Sequence, residues 1–141
     1  MSTTATGMPR NLARSTGAVL LSFLAVVLLS LGTDQVLHSL DVYPPWGEPM
    51  HEPGLNLLAL SYRVVYAILG SAIAARLAPR NPMRHAMVVG IVGLVMSGIG
   101  AIVTTTMADL GPDWYPIALV VTALPCAWIG GVLHRSWQAP R

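Results

Sequence analysis

An all-α, four-helix transmembrane bundle with both termini in the cytoplasm is the fold this sequence predicts. Three observations predict it. The 141 residues are 54% hydrophobic and only 10% charged, where a soluble domain carries about 25% charged residues. A chain this small needs a large solvated surface, and so few charges cannot supply it; the solvent for most of the chain is lipid. The apolar residues gather into runs close to the ~20 that a helix needs to cross a bilayer. Finally, all the arginines but one fall in or beside alternate connectors and at the ends of the chain, which places them on one side of the spans and fixes direction.

The first span runs from about Thr16 to Leu40. Arg10 and Arg14 before it resemble the start of a signal peptide, but the apolar run is long and ends in LSLGTDQVLHSL without a small-residue cleavage site, so it reads as a retained span. The second covers Leu55–Leu77, the third His85–Met107 and the fourth Tyr115–Leu133. Connectors rich in proline and glycine break the helices between them. A backbone in lipid must satisfy its own hydrogen bonds, which leaves helices as the form these spans take. The organisation is therefore a tail over 1–15, one membrane domain over 16–134 and a tail over 135–141.

Arg10, Arg14, Arg76, Arg80, Arg84, Arg135 and Arg141 all lie on one side of these spans, and Asp41, Glu48, Glu52, Asp109 and Asp113 on the other. Cationic residues near span ends stay in the cytoplasm, so both termini are expected there, with the acidic loops outside. Trp46, Trp114 and Tyr115 fall at the outer interface and Trp137 beyond the inner one, as suits rings with an apolar body and a polar edge. Nothing resembles the basic stripe with interleaved aromatics of a nucleic-acid binder. The lone Cys126 lies in an apolar run and reads as packing.

The eighth arginine, Arg63, lies inside span two, about 12 Å below its outer end at 1.5 Å per residue. Asp34 is the acidic residue inside a span, about 9 Å below the outer end of span one. Sequential antiparallel helices are neighbours, so the two charges meet, and a bidentate pair offsets much of the cost of charge in lipid. Asn56, Ala59, Tyr66, Ala67, Gly70 and Ala74 share the arginine's face, a small and polar stripe opposite Leu58, Val65, Ile68 and Ile73. Ser30, Asp34 and His38 repeat every four residues on span one. The candidate polar site is therefore Ser30, Asp34, His38, Arg63 and Tyr66. It reads either as a pair that fixes helix register or as a proton-linked or anion-binding site.

Gly93, Ser97 and Ala101 form a small-residue series on span three, a packing face for the bundle, for a second copy or for a larger membrane protein. Asp113 and Pro116 suit the start of span four, and Pro125 inside it frees the carbonyl of Val121, where a kink is expected. The loop WGEPMHEP holds Glu48, Met50, His51 and Glu52 near His38, but the spacing matches no metal-ligand pattern, and neither metal nor cofactor is expected. Its prolines argue for a stiff cap over the outer end. No phosphate loop, H-E-x-x-H or G-x-S-x-G motif points to an enzyme, and no internal repeat points to an inverted-repeat carrier.

By size and span count the chain resembles the small multidrug exporters, but its first span lacks the central glutamate of that family. LALSYRVVYAILGSAIAARLAPRNPMRHA and LGPDWYPIALVVTALPCAWIGG are similar to segments of small four-span bacterial membrane proteins that carry no functional name. That resemblance runs from about Leu31 onward and implies a bacterial inner-membrane location with no activity attached. The expectation is a non-enzymatic membrane module that associates with itself or a larger membrane protein. The alternatives are a small transporter or channel subunit at the polar site and, behind it, a metal-binding protein or membrane enzyme using the outer loop.

Overall fold

The computed structural model describes residues 7–140, and Arg141, expected at the arginine end, lies outside them. The chain is all-helical: α1 is Gly7–Ser39, α2 Pro53–Leu77, α3 Pro82–Thr106 and α4 Trp114–Gln138. Each is long and apolar enough to cross a membrane. Their apolar outer faces (Leu24 and Leu28 on α1, Val95 and Ile102 on α3, Val121 and Trp128 on α4) are exposed, as suits contact with lipid. The helix α1 starts at Gly7 rather than near Thr16: Pro9 falls in its first turn, where a missing N–H costs nothing, and nothing from Arg10 to Ser15 breaks a helix. The helix α4 likewise continues past Leu133 to Gln138 and carries Trp137 with it.

Local chemistry explains the boundaries. At the end of α1, Asp41 adopts a left-handed conformation (φ 56°), and the Val42 N–H donates to the Leu37 carbonyl at 3.0 Å. That closes the helix in the manner of a C-terminal cap. Pro53 and Pro82 open α2 and α3 at positions where a missing N–H costs nothing. Asp113 precedes α4 but makes no capping bond through its side chain. The helix α4 runs through Pro125 without interruption.

The helices alternate in direction, so the described arginines other than Arg63 gather at one end and both acidic loops at the other. The helices α2 and α3 form the central pair; α1 packs on one side of it and α4 on the other, and α1 and α4 do not touch among the described residues. Close approach depends on small residues. Gly70 lets Val26 of α1 lie on α2, and Gly90 lets Ala127 of α4 lie on α3. A side chain at Gly130 would meet Ser71 Cβ at 2.7 Å and Ala72 N at 2.9 Å, so α4 lies against the α2 backbone itself. The core around these contacts is Ala18, Ser22, Ala72, Ala75, Ala86 and Ala127, all buried and all toward the arginine end. In lipid such packing is a main source of helix association.

The acidic end is closed by its loops. The Met50 N–H donates to the Leu110 carbonyl at 2.8 Å, joining the α1–α2 loop to the α3–α4 loop. Buried Asn56 donates through Nδ2 to the carbonyls of Met50 (2.7 Å) and Glu52 (3.0 Å). Gly111 is required where it stands, because a Cβ there would sit 2.7 Å from the Met50 carbonyl.

Candidate functional site

Asp34 and Arg63 meet. Arg63 Nη2 donates to Asp34 Oδ2 at 2.5 Å, and the two side chains are 24% and 8% exposed, so the pair is largely buried within the bundle. The depth match between the last turns of α1 and the early turns of α2 brings them level, as antiparallel neighbours require.

Tyrosines complete the pair. Tyr62 donates its hydroxyl proton to Asp34 Oδ1, while its oxygen accepts from Arg63 Nη1 at 3.0 Å. Tyr62 therefore bridges both charges, and both carboxylate oxygens are held. The hydroxyl of Tyr43, a buried loop residue, lies 3.3 Å from that of Tyr62 and 3.4 Å from the Leu55 carbonyl. The guanidinium carbon sits 5.1 Å from the Tyr62 ring centroid and 5.9 Å from that of Tyr115 on α4, within the range of cation–π attraction. Tyr66 lies 5.8 Å from Tyr62, ring to ring, and 2.9 Å from Thr33 Oγ1, a second polar link between α1 and α2. All four tyrosines of the chain thus gather near one ion pair: Tyr62 and Tyr115 face it, Tyr43 reaches it through Tyr62, and Tyr66 lies beside Tyr62. Among the described residues no buried side-chain nitrogen or oxygen lacks a partner, which is the condition for a polar network to rigidify a core.

Burial pushes the Tyr43 phenol above its ordinary value, and the Tyr62 hydroxyl and the Arg63 charge partly offset the rise. A raised value means that the neutral phenol is the favoured form. Its contribution to stability is complete below the unfolded value of about 10 and is lost as pH rises through the folded one.

The remaining predicted residues are placed differently. His38 does not join the pair: its Nδ1 lies 2.6 Å from the Pro44 carbonyl and its ring 4.0 Å from that of Trp46, so it anchors the loop to α1. Ser30 lines a cavity of about 160 Å³ walled by all four helices, together with Arg63, Gly93, Ser97, Thr122 and Cys126. Gly93 has nothing within 4 Å of where a Cβ would be. Gly93 and Ser97 therefore front a void, and the close approach of α3 to α4 comes earlier, at Gly90. Ala101 borders a second cavity of about 280 Å³, with Asn56, Thr104, Asp113 and Tyr115. The two cavities share Ser97 and Leu119 as walls. Ser97 and Thr122 donate back to their own helix, at 3.2 Å to Leu94 and 2.8 Å to Ala118.

Between the two loops of the acidic end, His51 Nε2 lies 3.8 Å from Asp109 Oδ1, with both side chains exposed. Glu48, Met50, His51, Glu52 and His38 are not brought to one point, and no group of three potential metal ligands forms among the described residues.

Sequence reasoning missed Tyr62, Tyr43 and the second role of Tyr115. One signal was present: four tyrosines against a single phenylalanine, an imbalance that favours hydroxyl-bearing rings in an apolar chain.

Comparison of the chain with family models, with curated proteins and with solved structures finds no match in any of the three. Fold and cluster together define a four-helix bundle with membrane-length helices, braced near one end by a tyrosine-ringed ion pair.

Proposed function

We propose that this chain is a non-enzymatic integral membrane module that packs with itself or with a larger membrane protein. In this reading it lies in the inner membrane of a bacterium, with both termini in the cytoplasm and the acidic loops outside. The arginine distribution supports that orientation.

The observation that carries the reading is a contrast within the membrane. The charged cluster is closed on itself, with each charge held by partners from the same chain. The cleft beside it is open: α1 and α4 both border the 160 Å³ cavity without touching each other, and Gly93 stands on its wall with empty space before it. Small residues facing a gap accept a neighbour's side chains at close range. Native mass measurement and cross-linking in mild detergent test this. The wild-type chain should run as a defined oligomer or with a co-purifying membrane protein. Gly93→Leu, which fills the cleft from within, should release a helical monomer. A wild-type chain that is monomeric and partnerless when taken from native membranes contradicts the proposal.

A second reading, a small transporter or channel subunit, is favoured by one observation. Arg63 lines one cavity, Tyr115 lines the other, and the guanidinium carbon lies 5.9 Å from the Tyr115 ring centroid. Reconstituted vesicles would then show pH-dependent solute flux that disappears in Asp34→Asn. Absence of flux across protons, ions and small solutes removes this reading.

A further inference from the structure

We propose that the groove between α1 and α3 at the arginine end holds the phosphate of an anionic membrane phospholipid. The groove measures about 400 Å³. Its polar lip is formed by Ser15 and Thr16 of α1 and by Asn81, Arg84 and His85 at the start of α3. Below the lip the walls are Val19, Leu20 and Val88, and the last two are exposed on the outer face of the bundle. A charged mouth above an apolar wall open to the acyl region matches a phospholipid in shape and polarity.

His85 builds the floor of the mouth. Its Nδ1 lies 3.2 Å from the Asn81 carbonyl, and since a carbonyl can only accept, that nitrogen carries a proton. Its Nε2 lies 2.9 Å from Ser15 Oγ, which ties α1 to α3 across the groove. The charge balance then calls for an anion. Arg84 stands in the first turn of α3, where the helix dipole is already positive and a cation is disfavoured. No carboxylate side chain relieves it: Asp34, Asp41, Glu48, Glu52, Asp109 and Asp113 all lie toward the opposite end. Arg84 makes no ion pair among the described residues. Basic pockets between membrane helices at the cytoplasmic side take anionic lipid headgroups. A free phosphate ion would satisfy the arginine but leave the wall of Val19, Leu20 and Val88 without a function, which favours the lipid as source.

The test is native mass spectrometry of the full chain in mild detergent, titrated separately with phosphatidylglycerol, phosphatidylcholine and inorganic phosphate. Phosphatidylglycerol should bind as a discrete adduct and phosphatidylcholine more weakly. Arg84→Gln should weaken the phosphatidylglycerol adduct roughly fivefold, the loss expected for one basic side chain near an anionic surface. Arg76→Gln, an equal change of net charge at the same end, should leave it unchanged. Val88→Trp keeps every charge but obstructs the wall, and it too should lose the adduct while retaining wild-type circular dichroism. Equal losses in Arg84→Gln and Arg76→Gln would reduce the effect to diffuse attraction and overturn the proposal. So would full binding by Val88→Trp, or displacement of the lipid by an equal concentration of inorganic phosphate.

Discussion

At the arginine end the helices approach until side chain meets backbone: Gly130 lies over Ser71 and Ala72, Gly90 under Ala127, and the residues between them are alanines and serines. From the middle of the bundle toward the acidic end two cavities open between the helices, and a charged, tyrosine-rich cluster holds α1 to α2. One half is held by proximity, which needs small residues and tolerates nothing larger. The other is held by a few directed polar contacts, which leave space around them. The contrast shows how a chain too short to bury a large core divides its cohesion: non-directional packing fixes distance in one half, and a paired charge fixes register in the other.

The largest effect is expected from Asp34→Asn. It leaves the Arg63 charge withdrawn from solvent and without its counter-ion, a change that costs about 3–5 kcal/mol in buried pairs. Thermal or chemical unfolding in detergent should show a loss of that order, and one within ~0.5 kcal/mol would mean that the cluster does not hold the acidic half. Next comes one substitution made in both halves. Gly130→Ala drives a methyl group into the α2 backbone and should cost about 1–3 kcal/mol. Within a single bundle Gly93→Ala meets empty space, and because alanine favours helix over glycine the stability of the monomer should be unchanged or raised by up to about 1 kcal/mol. Similar losses at the two positions would erase the distinction between the halves.

A comparable effect is expected from Tyr62→Phe. It removes a hydrogen bond to a charged carboxylate but leaves the ion pair and the ring, so the loss should be about 1.5–3 kcal/mol. Tyr66→Phe, which breaks only the bond to Thr33, should cost less, about 0.5–1.5 kcal/mol. The reverse order would place the brace at the Thr33–Tyr66 link.

Much of this was legible in the sequence. The spans follow from apolar runs bounded by proline, and the pairing of Asp34 with Arg63 follows from equal depth on antiparallel neighbours. Tyr62 was not legible, because it lies one residue from Arg63 and so about 100° around the helix from its face; only the sideways reach of a phenol returns it to the carboxylate. Tyr43 belongs to a loop whose path no periodicity records. His38 shares a face with Asp34, yet Pro44 and Trp46 of the returning loop engage it first. On α3 the glycines at 90, 93, 98 and 100 offer several equivalent packing faces, and only the neighbouring helix decides that Gly90 is used and Gly93 is not.

The central claim is that Asp34 and Arg63 act as one unit joining α1 to α2, and a double-mutant cycle tests it most directly. Unfolding free energies would be measured for wild type, Asp34→Ala, Arg63→Ala and the double variant. The account predicts that the double variant recovers much of the single losses, with a coupling of about 2 kcal/mol or more, within the range found for residues in direct contact. Losses that add to within ~0.5 kcal/mol would contradict it.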